Sequence, residues 1–227
     1  MIKALIFDLD GLLVDSEPYW DEARRILAFA VGVHWNWNED DQSAVMGRST
    51  REGAEYLIKR FNLALSPESV AEKIVDNMVK LYAQQIPFLP GAKETVSLAA
   101  DNFITGLASG SPRSLIDSVT NDPALRGKFQ VALSGDQFEQ GKPAPDIYLA
   151  TVAELEVQPG ECVCFEDSGN GILAGKRAGM KVIAVPDKRF SPAVEIVAQA
   201  DVVLESLHDF SLDTITRISD PSVPLKV

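Results

Sequence analysis

The sequence predicts an α/β fold, a Rossmann-like parallel sheet core that carries an inserted all-helical cap domain. Short apolar runs alternate with stretches of helical periodicity, which is typical of repeated strand–helix–strand units in an open sheet. One long segment after the first run has helical periodicity only, and it interrupts this alternation. The predicted domains are therefore residues 1–15 with 88–227 for the catalytic core, and residues 16–87 for the helical cap.

Six apolar runs are expected to form the strands, because each is short and apolar enough to be buried on both faces of a parallel sheet. Several prolines are expected to begin helices, since the first helical turn tolerates a residue without an N–H group. These prolines are Pro67, Pro112, Pro145 and Pro192. The predicted strands, in chain order, are Ala4–Leu9, Phe103–Ala108, Phe129–Leu133, Cys162–Phe165, Val182–Val185 and Val202–Leu204.

The helical insertion is predicted from two stretches in which apolar side chains recur on one face. The sequence Leu89-Pro90-Gly91 then returns the chain to the rhythm of the sheet. A tryptophan-rich segment, WNWNEDD at residues 35–41, is expected to pack within the cap. The predicted apolar faces contain Trp20, Ala23, Leu27, Ala30 and Val31 in the first stretch, and Val70, Ile74, Met78 and Leu81 in the second.

The composition argues against several classes of function. A formal net charge of −12 disfavours a nucleic-acid partner, which requires a basic surface. No apolar run approaches the roughly 18 residues of a membrane helix, and residues 1–3 lead directly into the first strand without a signal peptide. We therefore expect a cytoplasmic monomer without a membrane partner.

With only two histidines and two cysteines in the chain, a metal site would use oxygen ligands. Cys162 and Cys164 are expected to be buried thiols.

Polar side chains follow three of the predicted strands. The carboxyl ends of parallel strands share one edge of an open sheet, and ligands bind beyond that edge. We therefore expect these side chains to converge on one site, together with a lysine from a loop before a helix. They are Asp8 and Asp10 after the first strand, Ser109 after the second, Glu166 and Asp167 after the fourth, and Lys142 in the loop.

This set of groups fits the transfer of a phosphoryl group. Asp8 could be the nucleophile, but two unit charges 4 Å apart repel by about 4 kcal/mol at an effective dielectric near 20. A Mg²⁺ ion would remove that obstacle, with Asp8 and Asp167 as ligands and Glu166 as a ligand or a partner of one. Lys142 would hold both Asp8 and the phosphoryl oxygens with its positive charge.

The remaining polar groups are expected to transfer the proton or to bind the substrate. Asp10 would protonate the leaving oxygen and later activate water, which is general acid–base catalysis. Ser109 and the backbone N–H groups of Leu9, Asp10 and Gly110 could cradle the phosphate. The predicted substrate contacts are Leu9, Gly11, Gly110 and Ser111 in the core and Trp20, Arg48 and Arg51 in the cap, with Arg113 as a further candidate. Trp20 could instead pack only within the cap, and the two cap arginines could belong to an ordinary solvated surface.

These motifs resemble those of the haloacid dehalogenase-like (HAD) hydrolase superfamily. DLDGLLVDSE resembles its first motif, Ser109 its second, Lys142 in GKPAPDIY its third and FEDSGNG its fourth, and the similarity extends to about residue 187. The resemblance implies Asp8 as nucleophile, Asp10 as acid/base, and Mg²⁺ bound by Asp8, Asp167 and the backbone carbonyl of Asp10. Dehalogenases of the superfamily lack the second aspartate, so Asp10 favours phosphoryl chemistry.

Within this superfamily the sequence is similar to the beta-phosphoglucomutase-like branch of sugar phosphatases. Trp20 stands where the mutase has a histidine, and Ile74 stands near the position of its cap lysine. The segment SEPYW is instead similar to 2-deoxyglucose-6-phosphatase and related hexose or hexitol phosphatases. The predicted function is a Mg²⁺-dependent phosphatase that hydrolyses small sugar phosphates, such as a hexose or hexitol phosphate, through an aspartyl-phosphate intermediate.

Two alternatives share part of this chemistry. A mutase of the beta-phosphoglucomutase type forms the same phospho-enzyme but returns the phosphoryl group to a sugar hydroxyl. A non-catalytic phospho-receiver or sugar-phosphate sensor also uses an aspartate, a hydroxyl, a lysine and Mg²⁺. Such a receiver needs neither Asp10 nor a large cap, and both features disfavour it.

Overall fold

A computed structural model describes residues 1–45, 49–189 and 192–219, except for the side chain of Ser43. The chain divides into two compact units. The first contains Met1–Asp15 and Pro87–Val227, and the second contains Ser16–Ile86. Residue 87 therefore belongs to the first unit, whereas the sequence prediction placed it in the cap.

The first unit contains a six-stranded sheet in which every pair of neighbouring strands is parallel. This confirms the predicted α/β fold with a Rossmann-like sheet. The strand β1, whose four residues are all buried, lies near the centre between β2 and β4, with Ala4 paired to Ile104 and to Cys162. The strands are β1 Ala4–Phe7, β2 Ile104–Ser109, β3 Val131–Ser134, β4 Cys162–Glu166, β5 Lys181–Ala184 and β6 Val202–Val203, in the order β3-β2-β1-β4-β5-β6.

Burial along the strands follows their position in the sheet. All residues of β1 and β4 are buried, and Cys162 and Cys164 are buried free thiols as expected. The prediction of burial on both faces is wrong for β6, where Val203 is 51% exposed. This strand lies at the edge of the sheet and, among the described residues, pairs with β5 alone.

The second unit consists of helices in its described part. The predicted face of α1 is correct at Ala23 and Leu27, which are buried, but not at Ala30 and Val31, which are exposed because the helix ends there. Pro67 is the first residue of α4, and the hydroxyl of the N-cap residue Ser66 accepts a hydrogen bond from the N–H group of Ser69 in the same turn. The helices are α1 Glu17–Ala30, α2 Glu39–Val45, α3 Thr50–Phe61 and α4 Pro67–Gln84.

Helices of the first unit lie between successive strands of the sheet, except for the last helix, which follows the sixth strand. Pro112 and Pro145 are the N-cap residues of α6 and α7, so these helices begin one position after the prolines that were predicted to start them. Pro192 precedes Ala193, which is the N-cap residue of α9. The helices are α5 Ala92–Ala100, α6 Arg113–Thr120, α7 Asp146–Glu154, α8 Gly169–Arg177, α9 Val194–Val197 and α10 Leu212–Ser219.

The tryptophan-rich segment packs against α3 within the second unit. The rings of Trp35 and Trp37 are stacked with their centroids 4.8 Å apart, and Trp35 also stacks on Phe61. Ring pairs of this kind add to the energy of burial. The unusual composition of this segment therefore has a local structural explanation.

A buried carboxylate, that of Asp41, joins the same segment to α3. Arg60 binds both of its oxygens, at 2.7 and 3.2 Å, and the hydroxyl of Tyr56 donates to it at 2.7 Å. Asn38 and Asp41 also cap each other across the first turn of α2. Burial alone would raise the pKa of Asp41, but the bonds from Arg60, Tyr56 and Asn38 outweigh it and lower this pKa.

We expect Asp41→Ala to lower the free energy of unfolding of the second unit by about 1–3 kcal/mol, because Arg60 and Tyr56 lose their acceptor. All three tryptophans lie within Ser16–Ile86, so urea unfolding followed by tryptophan fluorescence reports on this unit. Asp40→Ala is the matched control, since Asp40 is an exposed carboxylate on the same first turn. Its effect should stay within about 0.5 kcal/mol.

The Asp41 contribution should also depend on pH in one direction. A carboxyl whose pKa is lowered by folding stabilises the folded state above its ordinary pKa, and this stabilisation is lost as the pH falls. The difference between wild type and Asp41→Ala should therefore shrink below about pH 4. A difference that stays constant down to acidic pH, or an equal loss in Asp40→Ala, would contradict this account.

Candidate active site

Asp8 follows directly after β1 and is held by the neighbouring strand. Its N–H group donates to the carbonyl of Phe165 in β4 at 3.1 Å, so the backbone is still fixed by the sheet at this position. The residue is 7% exposed. A strand that is buried along its whole length thus ends in a carboxylate with little freedom to move.

The turn after Asp8 places the second aspartate. The carbonyl of Leu9 accepts N–H bonds from Leu13 and Val14, at 2.8 and 3.1 Å, and folds the chain back. Gly11 has a φ of +77°, and a β-carbon at this position would overlap the carboxylate of Asp167. Only glycine meets both conditions without strain. Gly11 therefore lets the turn approach the end of β4 closely.

Lys142 reaches the same site from the loop before α7. Its ammonium nitrogen lies 2.6 Å from Asp8 Oδ1, 2.5 Å from Glu166 Oε1 and 3.0 Å from the carbonyl of Ala108. The three acceptors match the three N–H groups of an ammonium. Burial alone would lower the pKa of Lys142, but the adjacent carboxylates of Asp8 and Glu166 outweigh it, and the pKa is raised. Lys142 is therefore positively charged at neutral pH.

Sequence reasoning missed one member of this network, Tyr148 in α7. Its hydroxyl donates a hydrogen bond to Glu166 Oε1, and its ring centroid lies 4.9 Å from the Lys142 nitrogen. In the sequence Tyr148 is one aromatic residue in a largely apolar helix, which is the usual pattern of a core residue. Its distance of six positions from Lys142 was the only available signal.

Two serine hydroxyls hold Asp10. Ser109 Oγ donates to Asp10 Oδ2 at 3.2 Å, and Ser111 Oγ donates to the same oxygen at 2.6 Å. The N–H group of Ser111 donates in turn to Ser109 Oγ at 3.0 Å. Within the described residues, the other oxygen, Asp10 Oδ1, is buried and has no hydrogen-bond partner. The carboxylate thus has one oxygen held by two hydroxyl groups and one buried oxygen without a hydrogen bond from the described residues.

The residues around Gly110 bear on the predicted phosphate cradle. A β-carbon added at Gly110 would meet no atom within 4 Å, so there is open space beside the turn after β2. Ser111, which was predicted to contact substrate, instead points its hydroxyl at Asp10. Its contact with substrate stays a prediction, as does that of Leu9, whose side chain is fully buried.

Three carboxylates form a group that could hold a metal ion. Asp8, Glu166 and Asp167 each offer an oxygen, and these oxygens lie within 4.8 Å of one another. Hard oxygen donors of this kind fit Mg²⁺.

Burial raises the pKa of Asp8 to about 7, with the positive charge of Lys142 opposing the rise and the negative charges of Glu166 and Asp10 adding to it. Burial and the charges of Asp8 and Glu166 likewise raise the pKa of Asp167.

Other residues proposed to contact substrate have partners elsewhere or lie outside this description. Arg51 in α3 pairs with Glu55 at 3.4 Å and with Glu68 at 3.0 Å. Arg48 lies outside the described residues. Trp20 is partly buried on α1. Their contacts with substrate stay predictions.

Arg113, the further candidate in the core, is also engaged. Its guanidinium group donates to the carboxylate of Asp117 at 2.8 Å and to the carbonyl of Ala132 at 2.9 Å. The first bond lies within α6, and the second joins α6 to β3. These contacts give Arg113 a structural role in the first unit.

Among the residues that the structure describes, none of the helices has the length and apolar character needed to cross a membrane.

Comparison with known proteins identifies the family. Residues 2–179 match the family model of the haloacid dehalogenase-like hydrolases. Hexitol phosphatase B of Escherichia coli (strain K12) is 35% identical over 212 residues, which cover 92% of this chain and 95% of that protein.

Two solved structures are similar over nearly the whole chain. CbbY from Rhodobacter sphaeroides, in complex with phosphate, has a TM-score of 0.81 and 27% identity, and the match covers 92% of this chain and 96% of that one. Beta-phosphoglucomutase from Clostridium difficile has a TM-score of 0.79 and 26% identity, with 97% and 98% covered. The chain belongs to the haloacid dehalogenase-like hydrolase family, in its beta-phosphoglucomutase-like branch, and it is a phosphatase enzyme.

Proposed function

We propose that this protein is a Mg²⁺-dependent phosphatase that hydrolyses small sugar phosphates, such as a hexose or hexitol phosphate, through an aspartyl phosphate on Asp8. The observation that carries this proposal is the contact of Lys142 with both Asp8 and Glu166, beside Asp10, whose Oδ1 accepts no hydrogen bond from the described residues. The similarity to Hexitol phosphatase B supports the substrate class.

Asp8 is the nucleophile in this mechanism. One of its carboxylate oxygens attacks phosphorus, the bond from phosphorus to the sugar oxygen breaks, and an aspartyl phosphate forms. The attack requires an ionised carboxylate, which burial disfavours and the Lys142 ammonium group at 2.6 Å favours. Lys142 also places a positive charge where the phosphoryl oxygens gather negative charge.

Asp10 transfers the proton in both half-reactions. It gives a proton to the departing sugar oxygen, and it later takes one from the water that attacks the aspartyl phosphate. Its Oδ2 already accepts bonds from Ser109 and Ser111, whereas Oδ1 has no partner among the described residues. We therefore assign the proton transfer to Oδ1. The second half-reaction releases inorganic phosphate and restores Asp8.

The carboxylates fit a bound Mg²⁺ ion, which would be held by Asp8 and Asp167, with the backbone carbonyl of Asp10 and with Glu166 as a ligand or a partner of one. When bound, it supplies the positive charge that allows an anionic substrate to approach this acidic site. The raised pKa values of Asp8 and Asp167 support this assignment, because the site is short of positive charge without a cation.

The mutase alternative is less well supported by the residues of the cap. Trp20 and Ile74 stand at the positions of the expected histidine and lysine, and neither can act as an acid, a base or a cation.

The cap is proposed to select the substrate and to exclude bulk water from the reaction. The cytoplasmic location and the monomeric state remain parts of the same proposal.

Two variants separate the roles of the aspartates. With p-nitrophenyl phosphate, whose leaving group needs no proton, Asp10→Asn should release a burst of about one equivalent of p-nitrophenol and then turn over about 10²–10⁴-fold more slowly. Asp8→Asn should give no burst and lose about 10⁴-fold or more of kcat. Asp146→Asn, an exposed carboxylate in the first turn of α7, is the control. Retained turnover in Asp8→Asn, purified free of wild type, contradicts the proposed nucleophile.

Metal removal tests the proposed ion. Excess chelator should abolish phosphate release, and added Mg²⁺ should restore it. Asp167→Asn should raise the Mg²⁺ concentration for half-maximal activity by at least about 10-fold, because it removes one of the proposed ligands. Undiminished hydrolysis in excess chelator would rule out the proposed metal dependence.

A panel of phosphate monoesters tests the substrate class and the type of reaction. We expect inorganic phosphate from hexose and hexitol phosphates, with kcat/KM at least about 10-fold higher than from nucleotides of similar charge. Glucose 1-phosphate supplied with a bisphosphate primer should give inorganic phosphate and free sugar. Formation of glucose 6-phosphate would show a mutase instead, and a stable aspartyl phosphate without turnover would show a receiver.

A further inference from the structure

We propose that Tyr148 is a positioning residue of this site. Its hydroxyl group fixes the carboxylate of Glu166, and Glu166 in turn directs the Lys142 ammonium group toward Asp8. The expected effect on turnover rests on the proposed function, because it requires Asp8 to act as nucleophile. The expected effect on the position of Lys142 is independent of the proposed function.

Glu166 lies in a closed pocket at the end of β4. The residue is 0% exposed, and its Oε1 accepts bonds from Lys142 and from the Tyr148 hydroxyl. Its Oε2 lies 3.4 Å from the hydroxyl of Ser168. A β-carbon at position 171, where the chain has glycine, would overlap this carboxylate. The backbone of α8 thus packs directly against this carboxylate, and Glu166 has little room to rotate.

Lys142 has all of its N–H groups occupied without Tyr148. Asp8, Glu166 and Ala108 accept at 2.5 to 3.0 Å, whereas the Tyr148 oxygen lies farther away, at 3.3 Å. The tyrosine therefore acts on the lysine mainly through Glu166, as a hydrogen-bond donor to the carboxylate. Its ring adds a wall beside the ammonium group, with the centroid 4.9 Å from the nitrogen.

The position of Tyr148 in the fold makes it a rigid support. It is 0% exposed and belongs to the hydrophobic core that the central strands share with α7. A buried tyrosine hydroxyl needs a polar partner, and here that partner is the carboxylate that binds Lys142. Without the hydroxyl, Lys142 is the one donor to Glu166 Oε1 that remains among the described residues, and the Glu166–Lys142 pair can shift relative to Asp8. Buried networks of this kind are sensitive to the loss of one member.

Tyr148→Phe tests this inference because it keeps the ring and removes the hydroxyl. Thr151→Val is the matched control, since Thr151 is a fully buried residue one turn later on α7 whose hydroxyl bonds only the carbonyl of Ile147 among the described residues. Tyr148→Phe should lower kcat for p-nitrophenyl phosphate by about 10-fold with KM unchanged within about 2-fold. In a Glu166→Gln background, it should change kcat by less than about 2-fold, because it acts through Glu166.

A second readout does not depend on activity. The Lys142 ammonium protons should exchange slowly enough to be seen by ¹⁵N NMR of labelled lysine side chains, with the signal assigned by its absence in Lys142→Met. Tyr148→Phe should speed this exchange by at least about 10-fold, whereas Thr151→Val should not. Equal exchange rates and equal kcat in these two variants, or fully additive effects of Tyr148→Phe and Glu166→Gln, would overturn the inference.

The two readouts separate this inference from the proposed function. If the exchange rates change as expected but no phosphate monoester is hydrolysed, Tyr148 positions Lys142 and the proposed function is wrong. If monoesters are hydrolysed and Tyr148→Phe behaves like Thr151→Val, the proposed function stands and the positioning role is wrong.

Discussion

The site depends on one largely buried ammonium group placed between two buried carboxylates. The acceptors of Lys142 come from the ends of three neighbouring strands: Asp8 follows β1, Ala108 lies in β2, and Glu166 ends β4. The lysine therefore joins the centre of the sheet at its carboxyl edge. Removing it would leave two carboxylates buried without a counter-charge, which is far more costly than losing a surface ion pair. Structure and proposed chemistry thus rest on the same contact.

The single positive charge of Lys142 does not balance the negative charges of all the carboxylates at this edge of the sheet. Asp8, Asp10, Glu166 and Asp167 are brought together by the turn after β1 and the end of β4, and burial raises the pKa of Asp8 and of Asp167. A divalent cation would neutralise the remaining charge and make room for a phosphate. Under the proposed function, such an ion would allow a fully buried strand to be followed by carboxylates. The close approach is possible because Gly11 lacks a side chain where Asp167 lies.

Much of this arrangement can be predicted from the sequence, and the exceptions have physical reasons. The carboxyl ends of parallel strands share one edge, so the convergence of Asp8, Ser109 and Glu166 follows from the order of apolar runs alone. Tyr148 could not be predicted, because a buried aromatic residue in an apolar helix has the same pattern whether or not its hydroxyl reaches a carboxylate. The partners of Arg51 were equally hidden, because a long side chain can reach several carboxylates on its own and neighbouring helices. Local packing around Asp41 accounts for the tryptophan-rich segment.

The central claim is that Asp8 accepts the phosphoryl group, and chemical mapping of the phospho-enzyme tests it most directly. The wild-type protein would be mixed with Mg²⁺ and substrate, quenched within milliseconds, reduced with borohydride and digested for mass spectrometry. Reduction converts an aspartyl phosphate to homoserine, so we expect homoserine at position 8 and at no other aspartate. Phosphate release without any modified residue, or homoserine at position 10 or 167, would contradict it.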